Sequence, residues 1–159
     1  MDSFFKTVFS ILLIISLFFS CRENKKTFFT KNFTHSQWPK DQELVFNFFN
    51  PTPGKKYDVF YQISYSPEYP FQNLWMRHQI EGPDGKALAE AKSNMDLFDR
   101  ISGKPEGQYG AGKIYRYARF QKNISLKDSG LYKIRIRQYM RADTLEGIIS
   151  AGIVLSPEP

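Results

Sequence analysis

One cysteine and two histidines are all that the chain has of the thiolate and imidazole ligands that most often hold transition metals. An internal disulfide is therefore excluded, and stability has to come from packing. His35 and His78 stand far apart, with no second cysteine and no paired carboxylates at ligand spacing, so no metal and no cofactor is expected. A Gly-x-Ser-x-Gly nucleophile elbow is also missing. Carboxylates are scattered over Glu68, Glu81, Asp84, Glu90, Asp96, Asp99 and Glu106, a spread that gives no reason to expect glycosidase chemistry. No repeat or low-complexity tract is present. The longest apolar run, Val8 to Phe19, is shorter than the about 20 residues a spanning helix needs.

That run has Lys6 before it and Ser20-Cys21 behind it, the layout of a secretory signal peptide. Leu17-Phe18-Phe19-Ser20-Cys21 resembles a bacterial lipobox, with Phe18 where leucine is commonest. Residues 1–20 are thus expected to be removed and Cys21 to be lipidated, which anchors the protein to a membrane and removes its thiol as a nucleophile. Residues 21–31, opening Cys21-Arg22-Glu23-Asn24-Lys25-Lys26, read as a flexible tether, and residues 32–159 as a single domain. The net charge of +6 would suit nucleic acid or an anionic surface. Export rules against nucleic acid, and nothing in the chain calls for a small-molecule substrate.

Aromatic residues are plentiful: 15 Phe, 9 Tyr and 2 Trp can supply the burial that disulfides do not. Short strands are expected from Leu44 to Phe49, Tyr57 to Tyr65, Asn73 to Glu81, Ile114 to Gln121, Asp128 to Arg141 and Ile148 to Leu155, with an early one near Phe28-Phe29. Trp38-Pro39-Lys40-Asp41 reads as a turn. Ala87 to Met95 is helix-favouring by propensity, yet it leaves a Pro83-Asp84-Gly85 turn and is read as a strand. In the Asp128 strand, Tyr132, Ile134, Ile136 and Gln138 alternate with Lys133, Arg135, Arg137 and Tyr139. Its entrance, Asp128-Ser129-Gly130-Leu131-Tyr132, is that of a tyrosine corner, which makes Asp128, Gly130 and Tyr132 fold determinants. The expected fold is all-β: an immunoglobulin-like antiparallel sandwich of about seven to eight strands.

Two stretches could carry function. Lys133, Arg135, Arg137, Tyr139 and Arg141, joined by Arg116 and Arg119 from a neighbouring strand, would form a basic face for an acidic partner or for anionic lipid head groups; a merely solvated face is the plain alternative. Tyr69 and Phe71, in a proline-stiffened loop, could stack on sugar rings as a carbohydrate-binding or adhesive site, or simply cap the core. Gly107 to Lys113 fits a phosphate-binding frame but continues with Ile114 where a Ser or Thr should hold magnesium, and with strand rather than helix, so nucleotide binding is set aside.

The lipid-type Cys21, Trp38, Tyr69-Pro70-Phe71-Gln72-Asn73-Leu74, Gly82 to Lys86, the Gly107-x-x-Gly110-x-Gly112 loop, Asp128 to Tyr132, and Gln138-Tyr139-Met140-Arg141 before Leu145-Glu146-Gly147-Ile148 occur in an order that resembles the gliding motility lipoprotein GldH family. The resemblance implies a non-catalytic envelope lipoprotein of the gliding machinery, associated with type IX secretion and with other envelope proteins of that apparatus as partners. It carries no catalytic residues across. Arg22 after the cysteine, rather than an inner-membrane-retaining Asp, points to the outer membrane. Asp143-Thr144-Leu145 fits the short O-glycosylation pattern of that bacterial phylum, and Asn123-Ile124-Ser125 is an N-glycosylation sequon.

Overall fold

The computed structural model describes residues 25–158. Eleven strands are present among them: β1 (Thr27–Asn32), β2 (Gln37–Pro39), β3 (Leu44–Asn50), β4 (Lys55–Tyr65), β5 (Asn73–Glu81), β6 (Ala87–Asp96), β7 (Gln108–Gly110), β8 (Lys113–Leu126), β9 (Gly130–Gln138), β10 (Thr144–Glu146) and β11 (Ile148–Pro157). Their pairings nest. The β5–β6 hairpin lies innermost, enclosed in turn by β4 with β8, β3 with β9, β2 with β10 and β1 with β11, all antiparallel. This long double ribbon rolls up through two further contacts, β11 on β4 and β9 on β5. The result is one sheet ordered β1-β11-β4-β8-β7 and one ordered β3-β9-β5-β6.

The all-β antiparallel sandwich is as expected, but its wiring is that of a jelly roll rather than an immunoglobulin domain. The tyrosine corner is nonetheless present: Tyr132 Oη donates to the carbonyl of Asp128 at 3.0 Å and accepts from its amide at 3.2 Å. A corner of this kind fixes one turn and one strand entrance, so it is compatible with either wiring. Gly130 sits at φ 149°, and a Cβ there would lie 2.8 Å from Cγ of Pro83. The turn therefore needs glycine.

Three expectations about the chain's course are corrected. The tether expected to reach residue 31 ends earlier, because Thr27–Asn32 pairs with β11 along six residues, and Phe29 tilts against Phe46 at 6.3 Å. Trp38-Pro39 is strand rather than turn: Pro39 drives Trp38 extended, which is the conformation the β2–β10 pair uses. Trp38 is fully buried, stacks on Phe33 at 5.0 Å and donates its indole N–H to the Gln42 carbonyl. Third, Gln108–Gly110 and Lys113 form a tight hairpin with Ala111 and Gly112 both at positive φ, so the glycine-rich stretch is partly a strand pair. Ala87–Asp96 is strand, since nine residues of β5 offer it a ladder that outweighs its helical propensity.

Rings fill the space between the sheets. Phe48 stacks on Tyr132 and meets Tyr57 edge-on, and Tyr61 stacks on Phe120 at 4.1 Å. Tyr61 Oη and His78 Nδ1, 2.6 Å apart, make a buried hydrogen bond from one sheet to the other. Burial holds the His78 imidazole neutral, lowering its pKa to about 4.

Candidate functional site

Alternation decides which side chains leave the core. On β9, Tyr132, Ile134, Ile136 and Gln138 are buried, and Lys133, Arg135 and Arg137 face outward, as does Tyr139 just past its end. The outer face of the β3-β9-β5-β6 sheet therefore carries the predicted basic strip. Register then determines how much of that charge is available. Arg135 donates to Glu81 at 2.8 Å and to Glu43 at 2.8 Å, and Lys133 lies 3.8 Å from Glu81. Glu81 and Glu43 raise the Arg135 pKa, so this part of the strip is locked as ion pairs. Arg137 stands directly opposite Arg77, which is paired with Glu90. Arg137 and Arg141 make no ion pair among the described residues.

Arg116 and Arg119 do not join this face. They lie on β8, in the other sheet, where Arg116 binds Glu106 at 2.6 Å and Arg119 binds Asp58 at 2.8 Å. The strand order separates them from β9, because β8 pairs with β4 while β9 pairs with β3 and β5. Tyr69 does not form an exposed platform either: it is buried, and its hydroxyl donates to the Asn73 carbonyl. Desolvation raises its pKa. Phe71, two residues on, is half-exposed and meets Tyr69 edge-on at 5.6 Å.

Where β9 ends, the outer face changes from paired charge to an apolar groove. Its volume is about 520 Å³, and Phe71, Trp75, Lys92, Tyr139, Met140, Arg141 and Ala142 line it. The floor is fixed by the backbone: Tyr139 N–H donates to the Trp75 carbonyl at 2.7 Å, and Trp75 N–H approaches Met140 Sδ at 3.3 Å. Buried Gln138 closes the turn behind it, accepting from the Met140 amide at 2.8 Å and donating to the Ala142 carbonyl at 3.1 Å. Lys92 Nζ sits 3.9 Å over the Tyr139 ring and donates to its hydroxyl at 2.7 Å. That hydrogen bond, with the nearby Lys92, Arg77 and Arg137 charges, lowers the Tyr139 pKa. Trp75 remains 42% exposed and Tyr139 45% exposed, a large apolar area to leave in water. Two cations and no carboxylate border the groove, so a group that is flat or apolar in the middle and anionic at its edge would complement it.

The family model described as GldH lipoprotein matches residues 27–155, nearly all of the described chain. The chain belongs to the GldH lipoprotein family. A gliding motility lipoprotein GldH homolog from Christiangramia forsetii is 30% identical over 157 residues, covering 92% of each chain. The gliding motility lipoprotein GldH of Flavobacterium johnsoniae is 29% identical over 157 residues, covering 89% of this chain and 91% of its own. Among solved structures, the mosquito-larvicidal Cry4Aa toxin of Bacillus thuringiensis shares the fold with a TM-score of 0.53 at 9% identity, over 84% of this chain and 24% of the toxin. Membership of this family makes the chain a gliding motility lipoprotein of the cell envelope, anchored by lipid. Cys21, the expected lipid site, lies outside the described residues.

The groove unites residues that sequence reading had kept apart: Phe71 came from the aromatic loop, Tyr139 and Arg141 from the basic strip. Trp75, Lys92, Met140 and Ala142 were missed. Trp75 had a usable signal, since it alternates with buried Leu74 and Met76 and so had to be an outward tryptophan. Lys92 had none, because its approach to Tyr139 depends on the β5–β6 register. Thr144 is exposed at the start of β10, while Asn123 turns the chain at φ 52° and donates its amide to Asp58.

Proposed function

We propose that this lipoprotein serves the gliding machinery without catalysis, as an interaction component associated with type IX secretion at the outer membrane, and that it holds an acidic segment of an envelope partner in the Trp75–Tyr139 groove. The observation that carries the reading is the pairing of half-exposed Trp75 and Tyr139 with Lys92 and Arg141 at the groove's border. Aromatic and arginine side chains around a concave apolar floor are the usual composition of an interface hot spot. The groove's lining holds no serine, threonine, cysteine, histidine or carboxylate, and its Lys92 and Tyr139 are hydrogen-bonded to each other. Arg22 in place of an aspartate after the lipidated cysteine is the support for the outer membrane.

The test is complementation. A deletion strain should lose colony spreading and secretion, and the wild-type gene should restore both. A Trp75→Ala/Tyr139→Ala gene should restore membrane levels of the protein but not spreading. Full spreading with the double variant would overturn the groove as the working site, and normal secretion in the deletion strain would remove the secretion link.

A carbohydrate ligand is the second reading, favoured by the same co-exposed rings of Phe71, Trp75 and Tyr139, on which a sugar face can stack. Glycan-array binding that Trp75→Ala abolishes would promote it over the acidic segment. The site would then be Trp75 and Tyr139 rather than buried Tyr69.

A further inference from the structure

The chain enters the sandwich at one defined end. Thr27 pairs with Leu155, Leu155 with Val59 and Val59 with Gln121, so one row of backbone marks the entry. Beyond that row, at the same end, lie Lys25, Lys26, Lys55, Lys56, Lys122 and Lys127, none of them in an ion pair among the described residues. The acids of this end are fewer and partly engaged. Asp58 is taken by Arg119 and the Asn123 amide and Asp84 by Lys86 at 3.1 Å, while Asp128 and Glu158 remain. The β3–β4 turn and the entrance to β9 also belong to this end, since Gly54 N–H donates to the Leu126 carbonyl. There Phe49 and Leu131, directly opposite each other across β3 and β9, are 63% and 56% exposed.

Only residues 22–26 separate Cys21 from β1, and five residues span at most about 18 Å when fully extended. A domain on so short a tether cannot hold this end away from the bilayer that carries the lipid. We propose that the tether end of the sandwich is a membrane-seating surface, with the six lysines on anionic lipid headgroups and the Phe49–Leu131 pair in the interfacial zone. Exposed lysines near an anionic leaflet are drawn to it, and aromatic residues settle at headgroup depth. The groove lies at the other end: Phe71 follows the far end of β4, ten residues of rise from Lys55, which is roughly 30 Å. Seating on the lysine end therefore lifts the groove away from the bilayer and points it at partners beyond the headgroups. The inference rests on the lipid anchor and not on the groove's ligand.

The experiment uses the full lipoprotein in nanodiscs of phosphatidylcholine alone or of phosphatidylcholine with phosphatidylglycerol, after mass spectrometry has verified the lipidated Cys21 peptide. Exposed amines are then labelled briefly and quantified residue by residue. Labelling of Lys55, Lys56, Lys122 and Lys127 should fall at least threefold in the anionic discs and recover at high salt, with Lys92 and Lys113 unchanged. Equal labelling in both discs overturns the proposal, as does protection that extends equally to Lys92. In a K55Q/K56Q/K122Q/K127Q protein with an unchanged melting temperature, the salt-sensitive protection of Lys26 should be lost; its persistence would assign the effect to the tether alone.

Discussion

The two ends of β9 use the same device for different purposes. At its entrance, Tyr132 reaches back four residues to close the turn on the Asp128 backbone. At its exit, Gln138 reaches forward four residues to the Ala142 carbonyl and two to the Met140 amide. Both are buried polar side chains that satisfy backbone groups leaving a sheet. The entrance turn packs against Pro83 and serves stability. The exit turn instead holds out Tyr139, Met140, Arg141 and Ala142 as part of a groove. Local hydrogen bonding thus fixes a core turn in one place and shapes an open groove in the other, and what lies across the neighbouring strand decides which.

The largest effect should come from the entrance. Tyr132→Ala removes a ring that is 1% exposed and stacked on Phe48, and should cost about 4 kcal/mol in denaturant unfolding. Tyr132→Phe keeps the stack and loses only the two contacts to Asp128, for about 1–2 kcal/mol. Asp128→Ala should stay within about 0.5 kcal/mol, because the backbone of Asp128, and not its exposed carboxylate, makes the corner. A loss as large for Asp128→Ala as for Tyr132→Phe would show the carboxylate to be part of the device.

Between the two ends, His78 on β5 stands opposite Ile136 of β9 and ties the sheets together through Tyr61. Its folded pKa of about 4 lies below the ordinary 6.5, so the unfolded chain takes up a proton first as pH falls. Stability is complete above pH 6.5, declines from there to about pH 4, and then levels for this group. The loss should approach 3 kcal/mol, at about 1.4 kcal/mol per tenfold change in proton affinity. His78→Gln should flatten the melting temperature across that window. The carboxylates of Asp58, Asp84 and Asp99 are held low by hydrogen bonds, first from the Asn123, Lys86 and Ser102 amides, and they contribute to acid unfolding only below their ordinary 3.8. The two windows are therefore separable.

Alternation and turn chemistry made most of the strands legible, and the outward set on β9 as well, because a period of two is a local property. The corner at Tyr132 was legible for the same reason. The jelly-roll order was not, since it depends on β11 meeting β4 and β9 meeting β5, partners more than 50 residues apart in the chain. The same blindness affected the site. Lys133 and Arg135 read as free cations until Glu43 and Glu81 were placed beside them, and Arg116 and Arg119 read as their neighbours until β8 fell in the other sheet. Charge counted along a strand is not charge presented by a face.

The exit end gives the sharpest division between stability and site. Gln138→Leu fills nearly the same space but leaves the Met140 amide and the Ala142 carbonyl without their partner, at a cost of about 2 kcal/mol. That is close to the cost of Tyr132→Phe, so a melting curve alone cannot separate the two variants. Their effect on the groove should. In Gln138→Leu the Tyr139 amide keeps its bond to Trp75 but the turn from Met140 to Ala142 loses both side-chain contacts that close it, so hydrogen exchange of the Met140 amide should accelerate and complementation of colony spreading should fail. Tyr132→Phe, with the groove's wall intact, should exchange normally at Met140 and restore spreading. Equal spreading for the two would mean that the exit turn, like the entrance, is there for the fold alone.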